Sequence, residues 1–147
     1  MTNKKKIVQE NLNLFEVFES EKKRSAPLLQ KIARMIGNES TLDESTLAHI
    51  DDSIDNLQNM RQLAKKNSTS LGGVSEPMIE WTTLLIDQYE HMKELHYIHG
   101  TRTGAKKRKE SSEYIQENMD IEEVQETMER LTQAMNDYKP REHFDNI

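Results

Sequence analysis

The sequence predicts an all-α protein, a small bundle of about five amphipathic helices ending in a coiled-coil-like C-terminal helix. Three observations carry this prediction. The 147 residues include only five glycines and three prolines, and Glu, Lys, Leu, Met and Gln abound where β-branched residues would mark strands. Apolar residues recur at steps of three and four, and polar–apolar alternation never lasts. Ile, Leu, Val and Phe number 31 of the 147 residues. That is just above the ~20% below which a highly charged chain fails to bury a core, so the core must be built from narrow helical stripes.

The first helix is expected over residues 5–24, where Val8, Leu12, Leu14, Phe15, Val17 and Phe18 make a broad apolar face and Lys22-Lys23-Arg24 suits the C-terminal dipole. Ser25 is expected to cap a second helix with Pro27 in its first turn, a stripe of Leu28, Leu29, Ile32, Met35 and Ile36, and a stop at Gly37-Asn38. Thr41 to Glu44 reads as a capping box. It opens a third helix with a seam at Leu47, Ile50, Ile54, Leu57, Arg61 and Ala64, closed by Lys65-Lys66. Asn67 to Val74 has the composition of a loop. Ser75 is expected to cap a fourth helix with Met78, Trp81, Leu85, Tyr89, Met92 and His96 on one side. Asp120-Ile121-Glu122-Glu123 is a second capping box, followed by a strict seam of Ile121, Val124, Met128, Leu131, Met135 and Tyr138. That spacing suits a coiled-coil contact with a second copy or a core seam within the chain. A turn over 111–119 extends this last helix backwards. The organisation so read is an N-terminal segment of three helices (1–66), a linker (67–76), a C-terminal helical segment (77–139) containing a basic loop (100–109), and a loose tail (140–147).

The absence of cysteine excludes a disulfide framework, a thiol nucleophile and a thiolate-ligated metal. The longest apolar run is Leu84-Leu85-Ile86, far from the ~18 residues of a membrane span. Ile7 to Asn13 is too polar for the core of a secretory signal, so a cytoplasmic location is expected, with no membrane contact.

The net charge of −6 hides a segregation. Residues 100–109 hold five basic and no acidic groups, whereas residues 110–129 hold eight acidic and no basic groups. Arg102, Lys106, Lys107, Arg108 and Lys109 could neutralise phosphates, but no aromatic is interleaved to stack on bases. A Walker loop is ruled out by the spacing of Gly100 and Gly104. Residues 31–50 imitate a helix-turn-helix, yet Glu39, Asp43, Glu44, Asp51 and Asp52 would be repelled by DNA phosphates. His91, His96 and His99 gather near one helix end, without the further ligand or the H-E-x-x-H spacing of a metal site. No glycine-rich phosphate loop and no G-x-S-x-G elbow suggests catalysis, and no cofactor is implied. Several methionines lie on the seams, where filling a core accounts for them.

Tyr138-Lys139-Pro140-Arg141-Glu142 resembles the Y-x-x-x-[DE] tail signal of type VII secretion substrates. The paired W-x-G turn is absent, since Trp81 is followed by Thr82-Thr83, and the chain is not assigned to that class.

The reading is a non-enzymatic helical interaction protein, an adaptor or inhibitor of a partner protein and a homodimer; an origin in a mobile element or phage is compatible with it. Its expected partner surface is the carboxylate set Glu113, Glu117, Glu122, Glu123, Glu126 and Glu129, whose density attracts a basic groove. The alternative is a nucleic-acid-associated regulator that binds phosphates through residues 100–109.

Overall fold

The computed structural model describes residues 2–35 and 44–138, with side chains placed for 4–30, 44–98 and 100–138. The described residues are almost wholly helical, with no strand among them. In chain order the elements are α1 (Thr2–Met35), α2 (Glu44–Lys66), α3 (Ser68–Leu71), a 3-10 turn (Gly72–Val74), α4 (Ser75–Thr101), α5 (Gly104–Asn118) and α6 (Ile121–Asn136).

Side-chain pairs fix how these rods run. Glu10 meets Lys66 and Glu21 meets Asn56, so α1 and α2 are antiparallel. Asp51 meets Lys93 and Arg61 meets Thr83, so α2 and α4 are antiparallel as well. Glu80 pairs with Arg130 of α6 and His91 with Tyr114 of α5, which sets both against the direction of α4. The result is a four-membered bundle of α1, α2, α4 and a fourth rod made of α5 and α6, interrupted at Met119 and Asp120.

α4 is the hub. Trp81, Leu85, Tyr89, Met92 and Leu95 are fully buried along it, and Thr82, Ile86 and Gln88 widen the covered face. At 100° per residue these positions span about half the helix circumference, enough to receive α2 on one side and α5–α6 on the other. Phe18 of α1 closes the centre by an edge-to-face contact with Trp81 at 5.0 Å.

Several local expectations are corrected. The helix break expected at Ser25 does not occur; α1 runs on through Pro27. The buried stripe Leu14, Phe18, Glu21, Ser25 and Leu29 keeps its three–four step across the proline. Pro27 itself is exposed, where water can satisfy the carbonyl left without an amide. Ser25 bonds backwards to the Lys22 carbonyl at 2.9 Å instead of capping a new helix. Asn67 to Val74, a loop by composition, forms α3 and the 3-10 turn, with Leu71 and Val74 buried. Gly72 adopts φ 55°, a conformation that suits glycine. Ser75 lies inside α4 and donates to the Ala64 carbonyl at 2.9 Å, tying the turn to the end of α2. The stop at Gly37-Asn38, the capping box at Thr41, most of the helix-turn-helix imitation and the tail beyond Tyr138 lie outside the described residues.

The C-terminal seam packs within its own chain. Val124 and Leu131 are buried, and Ile121, Met128, Met135 and Tyr138 pack against the same core. Tyr138 also donates to the Ser70 carbonyl at 3.2 Å and stacks edge-on with Phe15 at 5.2 Å. Of the two roles set out for this seam, the structure uses it as core.

Candidate functional site

The last two helices carry the strongest charge contrast in the molecule. α6 starts at Asp120, whose side chain accepts from the Glu123 amide at 3.0 Å, as a helix cap should. The reciprocal half of the expected capping box is supplied from elsewhere. The Asp120 amide donates to Gln88 Oε1 of α4 at 2.9 Å, and Gln88 Nε2 donates to the Asn118 carbonyl at 3.5 Å. One buried amide thus serves the last turn of α5 and the first of α6.

With Val124, Thr127 and Leu131 turned inward, the helical period puts Glu122, Glu126 and Glu129 on the opposite side, at i, i+4 and i+7. Glu123 flanks them, and Glu113 and Glu117 continue the charge onto α5. All six carboxylates are exposed, and none forms an ion pair among the described residues. The Glu123 carboxyl is held above the ordinary carboxylate range by residual desolvation and then by Asp120, with Glu80 and Glu126 adding to it. The face therefore carries concentrated, uncompensated negative charge.

The cationic stretch is not the loop that its composition suggests. Only Arg102 and Thr103 break the helix, with Gly104 at φ 61° turning the chain into α5. Lys106 to Lys109 form the first turns of α5, a helix end where cations oppose the dipole. Glu110 compensates: Arg102 Nε lies 2.6 Å and Lys106 Nζ 3.9 Å from its carboxylate. Arg102 is thereby partly withdrawn from any phosphate, while Lys106, Arg108 and Lys109 are exposed and Lys107 is half-buried.

Of the three histidines, His91 Nε2 lies 3.4 Å from Asp87 and its Nδ1 lies 2.8 Å from the Tyr114 hydroxyl. The pair Asp87–His91 could be found from its spacing of four; Tyr114 could not, because it arrives from another helix. The Tyr114 phenol is pushed up by burial and by Glu94 and Asp87, the opposite of what a nucleophile needs. His96 Nδ1 is buried without a hydrogen-bond partner, the side chain of His99 lies outside those described, and no group of three or more metal-ligating side chains is brought together among the described residues. No helix of the described residues is long and apolar enough to cross a membrane.

The chain matches no protein-family model, no curated protein and no solved structure.

Proposed function

We propose that this chain is a non-enzymatic interaction module of the cytoplasm, an adaptor or inhibitor that meets a basic surface of a partner protein through the acidic face of α5 and α6. The observation that supports this reading is the exposure of Glu113, Glu117, Glu122, Glu123, Glu126 and Glu129, none of them in an ion pair among the described residues. Like charges four apart on a helix cost about 0.2–0.5 kcal/mol per pair, and a basic groove relieves that cost on binding. The arrangement imitates the charge spacing of a nucleic acid, so steering toward a cationic cleft comes with it.

A second reading has its own observation. Lys106, Arg108 and Lys109 are exposed at the positive end of α5, which favours phosphates. Salt separates the two. Raising ionic strength from about 0.1 M to about 1 M shortens the screening length from ~10 Å to ~3 Å, so a partner protein held by the acidic face elutes over that range. Binding of DNA or RNA to the purified chain is expected to be negligible even at low salt. Tight nucleic-acid binding that falls steeply with salt would reverse the order of the two readings.

A further inference from the structure

We infer that a second copy of this chain docks on the outer face of α1 in an antiparallel crossing, with Val8 and Leu12 at its centre. α1 carries two stripes at helical spacing. The inner one, Asn11, Leu14, Phe18, Glu21 and Ser25, is buried against the bundle. The outer one, Lys5, Val8, Leu12, Glu16 and Glu19, lies about 130° further round at 100° per residue. Val8 is 37% and Leu12 50% exposed; they are two of the three exposed large hydrophobic residues among those described, one turn apart. A helix paired on one side only would carry polar groups there.

The charges on this stripe decide the occupant. Lys5 lies at one end and Glu16 and Glu19 toward the other, with Lys23 one turn beyond Glu19; all are exposed and outside every ion pair among the described residues. A wholly acidic or wholly basic partner would match one end and be repelled by the other. A parallel copy would set like over like. An antiparallel copy sets Lys5 of each chain against Glu16 and Glu19 of the other, the self-complementary pattern of a twofold interface. In that register Leu12 of one copy lies beside Val8 of the other, over a shallow depression lined by Lys4, Lys5, Val8 and Gln9. This replaces the C-terminal seam as the dimer surface, and it does not rest on the acidic face of α5 and α6.

The test is sedimentation equilibrium of the full chain from about 1 µM to about 1 mM. The expected result is a reversible monomer–dimer equilibrium. Leu12→Glu, Lys5→Glu and the pair Glu16→Lys/Glu19→Lys each weaken it by at least about tenfold, equivalent to ~1.4 kcal/mol. Combining Lys5→Glu with Glu16→Lys/Glu19→Lys restores it, since the exchanged charges again oppose one another. Lys5→Glu removes no packing, so the charge exchange reads association even where Leu12→Glu disturbs the helix. A chain that stays monomeric across the range, a dimer indifferent to both Leu12→Glu and Lys5→Glu, or a charge exchange that fails to restore pairing would each overturn the inference.

Discussion

Glu21 and Tyr89 are the least ordinary residues of the core. Glu21 is 1% exposed; it accepts from Asn56 Nδ2 at 3.0 Å and from Arg24 at 3.5 Å through one oxygen. Its other oxygen and the Tyr89 hydroxyl are buried without hydrogen-bond partners. Burial first, and the Glu21 carboxylate second, push the Tyr89 phenol above its ordinary range, with Arg24 acting weakly against them. A buried hydroxyl that makes no hydrogen bond costs the fold its desolvation, so Tyr89→Phe is expected to stabilise the chain by about 1–3 kcal/mol in denaturant melts at neutral pH. Because the folded phenol holds its proton more tightly than the unfolded one, its contribution is complete below the unfolded value near ~10 and is lost as pH rises above it. Tyr89→Phe is therefore expected to flatten the alkaline fall in stability. A loss of about 2 kcal/mol at neutral pH would show instead a hidden partner for the hydroxyl. Sequence made Trp81 legible as a core anchor, since it falls on an unbroken apolar stripe. Glu21 was not legible, because a carboxylate on an amphipathic helix ordinarily reads as solvated, and only the approach of Asn56 and Arg24 makes its burial tolerable.

Helix ends were harder to read than helix faces. Seams depend on spacing, which survives any local exception, whereas Ser25-Ala26-Pro27 offered a proper cap and was overruled by a buried stripe that continued past it. The cationic stretch was misread as a loop because Gly104 and four cations look mobile; the glycine supplies one turn, and Glu110 steadies the helix that follows. The start of α6 was legible from its capping box at Asp120, but the tie that joins it to the end of α5 was not, since it depends on Gln88, thirty residues upstream of Asn118. α5 buries only Ser111 and Ile115, so that amide matters to it. Gln88→Leu, close in volume, leaves the Asp120 amide without its partner. The expected cost is about 1–3 kcal/mol in denaturant melts, with hydrogen exchange accelerated at Met119 to Ile121. Unchanged exchange there would mean that α5 and α6 hold their break without Gln88.

The chain as a whole solves a shortage of apolar residues by spending them on one hub helix and on stripes that face it, leaving the remaining surface to charge. Fold class was readable because composition and period agree over the whole length. Function was not, because an exposed acidic face states the sign of its partner and nothing of its identity. The central claim, that the outward face of α6 is where that partner binds, is tested most directly by Glu122→Lys/Glu123→Lys/Glu126→Lys. Three reversals of two units each take the net charge from −6 to zero, so the control is Asp52→Lys/Asp55→Lys/Glu76→Lys, exposed positions with the same change of charge elsewhere. Capture of partners from the native host, with circular dichroism on each variant, is expected to show helical content intact in both and binding lost in the first alone. Binding that survives the first set but disappears when Lys106, Lys107, Arg108 and Lys109 become Ala would contradict the account and move the functional surface to the start of α5.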